Sequence, residues 1–213
     1  MHVKKGYETL LPELLSWAEK ELSVIEDGGH SLEIWITDRE PGKRELLKSN
    51  GYALAHSEPV TVFDYSKPFA ECVLPEGFNL IDGTNVDYVK LNHCFYKGFN
   101  HGDDPGDDAE DNMFMCNAPR ADMSLMTIAA APDGEYACAL GMWFDEKNKY
   151  AYLEPLATIP KYRRMGLAAA ALTEAMKKTK LLGAEYCFGG VGAFYPAIGF
   201  KTICSRELWE KNL

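Results

Sequence analysis

Apolar residues in the segment 7–22 recur at three- and four-residue intervals, Leu10, Leu11, Leu14, Leu15 and Ala18, which predicts an amphipathic helix. Residues 23–30 carry Gly28-Gly29 and read as a loop. Leu32, Ile34 and Ile36 then alternate with Glu33, Trp35 and Thr37, the pattern of a half-buried strand. A short helix is predicted over 41–50, opened by Pro41 and closed by Gly51. Residues 52–55 and 60–65 read as two further strands, and Ser66-Lys67-Pro68 breaks the pattern.

The chain then begins again. Residues 78–81 predict a strand, and 85–98 a helix with Val86, Val89, Leu91 and Phe95 among its apolar positions. A polar, acidic loop follows, with Asp103, Asp104, Asp107, Asp108, Glu110 and Asp111. Residues 124–131 and 135–144 form a hairpin around Pro132-Asp133-Gly134. The apolar run 150–158 is a buried strand. After a turn at Pro160, Leu172, Ala175, Met176 and Thr179 recur at helical spacing, with Lys177, Lys178 and Lys180 where a helix C-terminus favours positive charge. A strand at 185–188, a short turn or helix to Ile198 and a strand from Phe200 complete an α/β pattern.

Composition narrows the function classes. A chain of 213 residues fits one large domain, or one domain with a partial second. A net charge of −10 argues against nucleic acid as a partner. No apolar stretch reaches the ~18 residues that span a bilayer, so no membrane role is expected and a soluble cytoplasmic protein is the default. The cysteines at 72, 94, 116, 138, 187 and 204 are dispersed without a C-x-x-C pair, which predicts reduced, structural thiols. No His/Cys/Asp cluster has metal-ligand spacing, and the acidic run does not fit a calcium loop. No metal is expected, and that run reads as a solvated loop.

The chemistry concentrates where the strand 150–158 turns into the following helix. The first turn of a helix carries N–H groups without internal partners, a natural anion site. Gly166 and Ala168 keep side chains out of the approach, and Arg163 and Arg164 add positive charge. Neither G-x-G-x-x-G nor G-x-x-x-x-G-K-[ST] is present, so other common phosphate cradles do not compete. The segment Arg163-x-x-Gly166-x-Ala168, after Leu156-Ala157-Thr158-Ile159-Pro160 and before Tyr195-Pro196-Ala197-Ile198-Gly199-Phe200, resembles the acyl-CoA signature of the GNAT superfamily of N-acetyltransferases.

The resemblance implies a GNAT fold, a mixed, mostly antiparallel sheet flanked by helices, and acetyl-CoA as cosubstrate. It places Leu156, Ala157 and Thr158 along the pantetheine arm through backbone groups. The turn Arg163, Arg164, Met165, Gly166, Leu167 and Ala168 falls to the pyrophosphate. It also makes Tyr195 the acid that protonates the departing thiolate, a role suited to a phenol because its pKa lies above a thiol's. Glu154, the one charge in 150–158, is the candidate base for the attacking amine. The implied reaction is direct attack of a small-molecule amine on the thioester. A non-catalytic acyl-CoA-binding sensor or interaction domain is the alternative.

Residues 69–213 are then a complete catalytic domain. Residues 1–68 resemble the C-terminal half of a second, degenerate copy, with Gly6 laid on Gly166. Val3 there replaces Arg163, Glu8 replaces Ala168 and Leu47 replaces Tyr195, so this half is expected to be structural. The acidic loop borders the acceptor side in the family, which favours a cationic amine. A homodimer is left open.

Overall fold

The computed structural model describes residues 2–26, 29–106 and 108–213. Met1, Asp27, Gly28 of the expected loop and Asp107 of the expected acidic segment lie outside the described residues. In chain order the elements are a 3-10 turn at Glu8–Leu10, helix α1 (Leu11–Glu21), strands β1 (Val24–Glu26) and β2 (Gly29–Thr37), helix α2 (Pro41–Ser49) and strand β3 (Ala53–Asp64). Then come strand β4 (Asn79–Asp82), helices α3 (Tyr88–Gly98) and α4 (Glu110–Cys116), and strands β5 (Thr127–Ala130), β6 (Tyr136–Asp145) and β7 (Tyr150–Thr158). A 3-10 turn at Pro160–Tyr162, helix α5 (Leu167–Leu181), strand β8 (Tyr186–Phe188), helix α6 (Phe194–Ala197) and strand β9 (Lys201–Asn212) follow. Two compact units result: residues 1–61 with 202–213, and residues 62–201. The terminal strand, expected with the second segment, folds with the first.

In the first unit the strands run β1-β2-β9-β3. Strand β2 pairs antiparallel with β9 from Ser31 opposite Asn212 to Thr37 opposite Arg206. Leu32, Ile34 and Ile36 point inward as their alternation predicts, and pack with Leu15, Ala18, Leu47, Tyr52 and Trp209. Arg44 donates to both oxygens of the buried Glu207 carboxylate, at 3.1 and 2.6 Å.

Three expectations are corrected here. The segment 23–30 is not a loop: β1 and β2 form a hairpin with Val24 opposite Ser31, the β-branched Val24 outweighing the glycine signal. The first α-helix starts at Leu11 rather than Tyr7, with Pro12 in its first turn, where a missing N–H costs nothing. The two strands predicted over 52–65 are one, β3. Polar Ser57-Glu58 looks like a break in sequence, but Glu58 accepts a hydrogen bond from Arg206 of β9 at 2.9 Å.

In the second unit the order is β4-β5-β6-β7-β8, closed by residues 62–64 of β3 beside β8. All pairings are antiparallel except β7 with β8. On one face Leu167, Ala171, Leu172, Ala175 and Met176 of α5 pack on Leu140, Met142, Ala151, Leu153 and Cys187. On the other, Leu91, Cys94 and Phe95 of α3 meet Ile128, Ala139 and Ala157. Helix α3 begins at Tyr88 rather than residue 85, because Asp87 caps it, accepting from the N–H groups of Val89 and Lys90. The acidic segment is not wholly a loop. Glu110 and Asp111 open α4, where carboxylates favour a helix N-terminus. The stretch before it is tied to α3 by Asn92 Nδ2 on Asp108 O (2.6 Å) and by a His93 Nε2–Gly106 O contact (3.0 Å).

The order strand, helices, three antiparallel strands, helix, strand, helix, strand is the one the resemblance implies. All six cysteines are free thiols. Burial pushes Cys138 up to about 11 and Cys187 up to about 12, so both stay protonated and inert. Among the described residues no helix is long and apolar enough to cross a membrane.

Candidate active site

Strand β7 behaves differently along its two edges. Toward β6 it is paired over its whole length, from Tyr150 opposite Asp145 to Thr158 opposite Cys138. Toward β8 the pairing covers only Tyr150, Ala151 and Tyr152. Strand β8 ends at Phe188, so its ladder with β7 stops at Tyr152. The β6 register also slips there: Leu140 faces Leu156 and Met142 faces Leu153, so Glu154 and Pro155 together oppose Gly141. A bulge of this kind re-aims the side chain it carries. Only glycine fits at 141, since a Cβ would lie 2.4 Å from Glu154 O. That carbonyl accepts the indole N–H of Trp143 at 2.9 Å.

The turn into α5 uses two left-handed residues, Arg164 (φ 65°) and Gly166 (φ 82°). Gly166 occupies the N-cap without a side-chain cap, and a Cβ there would meet nothing within 4 Å. The N–H groups of the first helical turn thus have no side-chain cap. A cleft of about 580 Å³ opens there, lined by Leu156, Thr158, Arg163, Arg164, Gly166, Leu167 and Ala168, and by Gly98, Tyr162, Ala169, Phe194, Tyr195 and Ile198. Seven of the nine expected cofactor residues thus share one cleft. Ala157 does not: its side chain is buried beneath α3. Met165 is exposed outside the cleft lining.

The two arginines divide the work. Arg163 donates from Nε to Thr158 O (3.1 Å) and from Nη2 to Gly98 O and Asn100 Oδ1 (both 2.9 Å). It clasps the end of β7 to the end of α3, beside the negative end of that helix. Arg164 remains the cation of the turn.

Tyr195 lies in the same cleft, over the glycine pair that follows β8. A Cβ at Gly190 would sit 2.7 Å from the Tyr195 oxygen, and one at Gly189 2.8 Å from its ring. Burial raises the Tyr195 pKa; a hydrogen bond from the Gly190 backbone opposes the rise, and the charge of Glu154, with Cys187 and Tyr152, adds to it. The phenol is held protonated. Glu154 is exposed and forms no ion pair among the described residues. It borders a small apolar pocket of about 20 Å³ with Met115, Met123, Met126, Met142 and Trp143, room for about one water. The two candidate catalytic groups, 41 positions apart in sequence, are brought within electrostatic reach of each other.

Sequence reasoning missed Gly98 and Asn100, which hold Arg163, and Gly189-Gly190 under Tyr195. The last pair left a signal, two glycines directly after a strand; the first pair left none. Among the described residues no group of three or more His, Cys, Asp or Glu side chains could hold a metal.

A bulged strand whose parallel partner ends early, followed by a helix without a side-chain cap, is the arrangement the acyl-CoA signature implies. The model of the GNAT acetyltransferase family matches residues 89–200, more than half of the chain, and the chain belongs to that family. Among solved structures, a GCN5-related N-acetyltransferase from Sphaerobacter thermophilus is similar over 98% of this chain and 69% of its own, at 17% identity and a TM-score of 0.75. A tandem GNAT protein from the clavulanic acid pathway is similar over 99% and 71%, at 11% identity and 0.66. A GCN5-related N-acetyltransferase from Kribbella flavida is similar over 84% and 68%, at 12% identity and 0.59. No curated protein matches the sequence.

Proposed function

We propose that the chain is an acetyl-CoA-dependent N-acetyltransferase acting on a small-molecule amine. The observation that carries this reading is a protonated, partly buried phenol in the cleft that also holds the uncapped opening of α5. First-turn amides and Arg164 would take the pyrophosphate, and the freed edge of β7 near Leu156 the pantetheine. The thioester supplies an activated acetyl group. Glu154, directly or through a water, takes a proton from the ammonium so that the nitrogen can attack the carbonyl carbon. As the C–N bond forms and the C–S bond breaks, Tyr195 gives its proton to the sulfur, and the second proton shed by the acylated nitrogen passes through solvent to restore the phenol. Much of the rate would come from holding the partners together. The test is thiol release from acetyl-CoA across a panel of amines, with Tyr195→Phe alongside. Tight acetyl-CoA binding without transfer to any amine would favour a sensor instead.

Residues 1–68 are read as the remnant of a second copy. Gly6 (φ 91°) precedes the first helical turns as Gly166 (φ 82°) precedes α5. The Glu8 carboxylate accepts the Gly6 N–H at 3.0 and 2.9 Å, which lowers its pKa. An internal anion sits where a phosphate would bind, so this half is proposed to take no CoA. The similarity to a tandem GNAT protein supports the reading. The acidic residues before α4, Asp103, Asp104 and Asp108 among them, are proposed to draw a cationic acceptor.

A further inference from the structure

The face of the second unit's sheet away from α5 carries a floor of aromatic residues. Trp143 on β6 stands opposite Tyr152 on β7, and Tyr152 opposite Phe188 on β8. One pleat further, Tyr150 stands opposite Tyr186. Residues opposite one another, and those two positions on, share a face. Tyr150 and Tyr186 stack at 6.1 Å, and both meet Phe188 edge-on at 5.3 and 5.7 Å. None of these five belongs to either core cluster of the unit, and Tyr152 is 44% exposed. Five aromatic residues share this face, Tyr152 exposed and the other four half-buried.

The floor leads to the reactive groups. Tyr152 and Glu154 both raise the Tyr195 pKa, so the floor's edge and the phenol lie within one electrostatic neighbourhood. Trp143 lines the small pocket with Glu154 and also an open groove of about 270 Å³ with Arg120, Asp145, Tyr150 and Tyr152. The charges along this path are unequal. Asp145 is engaged by Asn148 and feels Arg120, whereas Glu154 has no ion-pair partner among the described residues. The negative, uncompensated end is the one beside Tyr195.

We infer that this floor selects the acceptor: a primary amine borne on an aromatic ring. The ring lies on Tyr152, Trp143 and Phe188, and the ammonium points to Glu154. The inference rests on the transferase reading for its location but not for its test. A stacked aromatic contact is worth ~0.5–1.5 kcal/mol beyond buried area, a factor of ~2–12 per contact.

The experiment is calorimetry and thiol-release kinetics with phenethylamine and its puckered analogue cyclohexylethylamine, each with saturating CoA or acetyl-CoA. Phenethylamine is expected to bind, and to react, about 3- to 10-fold better than the analogue. Tyr152→Ala should erase that preference and Tyr152→Phe should keep it, with acetyl-CoA affinity unchanged in both. Phenethylamine binding that is lost in Tyr152→Ala, without transfer, supports the floor and overturns the transferase. Transfer to amines without ring preference overturns the floor and leaves the transferase standing. Absence of both binding and transfer overturns both. A change confined to molecular mass by light scattering in Tyr152→Ala would make the face a subunit contact and overturn the inference.

Discussion

Arg163 and Arg164 are adjacent in sequence and line one cleft, yet their geometry assigns them separable tasks. Replacing Arg163 with Met removes three donations, to Thr158 O, Gly98 O and Asn100 Oδ1. At ~0.5–1.5 kcal/mol for each exposed bond, the loss is about 2–4 kcal/mol. For a chain of this size that corresponds to a melting temperature lower by ~5–15 °C. Acetyl-CoA affinity should weaken only because the cleft wall loosens. Its dependence on salt should stay at the parent's slope, since no charge facing phosphate has been removed. Arg164→Met should do the reverse: near-parent melting, affinity lower by about tenfold, and a shallower salt dependence, as expected when a charge-assisted contact is lost. Melting curves plus calorimetry at three ionic strengths decide it. If Arg163→Met melts like the parent while the salt slope flattens, the clasp is wrong and Arg163 is a phosphate ligand.

Four further outcomes are expected. Gly166→Ala should cost ~1–2 kcal/mol from its left-handed backbone, while Gly166→Glu should abolish acetyl-CoA binding in a folded protein, both measurable by melting and calorimetry. Tyr195→Phe should lower turnover by ~10²–10⁴-fold with acetyl-CoA affinity intact; because burial raises this phenol, the parent's alkaline limb should lie above the usual ~10 and vanish in the mutant's pH profile. Burial pushes Glu40 up, but the Lys43 ammonium and the Thr37 N–H and hydroxyl outweigh it and bring its pKa to about 2, below the ordinary 4.5. Its stabilisation is therefore complete above 4.5 and lost as pH falls toward 2, and acid titration of Glu40→Gln should show a flatter loss over that range. A 69–213 fragment lacks β2 and β3, leaving β9 without either neighbour and removing Phe63 and Tyr65 from the second core, so it should aggregate; a soluble, fully active fragment would refute this.

The readable parts of the sequence were those set by local pattern. The alternation at Leu32, Ile34 and Ile36 placed β2, and the apolar run at 150–158 gave the bounds of β7, although Tyr152 and Glu154 are exposed where a buried strand was expected. Seven residues of the strand-turn-helix signature line one cleft. What stayed hidden depends on partners far away in the chain. Glu58 looks like a break until Arg206 lies beside it. Arg163 looks like a free cation until Gly98 and Asn100 supply acceptors 65 and 63 positions earlier. The aromatic floor was invisible for the same reason: Trp143, Tyr152 and Phe188 share a face only once three strands are in register.

Strand β9 gives the chain a schedule. Its partner β2 is made early, but Leu32 must wait for Lys211 and Trp35 for Leu208 before the sheet of the first unit can form. During synthesis the ribosome has to release residues 202–212 first, and α1 and α2 meanwhile lack the strand that bears Trp209. Pairings this distant in sequence are slow to form and leave apolar surface exposed in the interval. Substitutions in residues 202–213 should therefore register first as poor yield from cells, even where they touch no catalytic group.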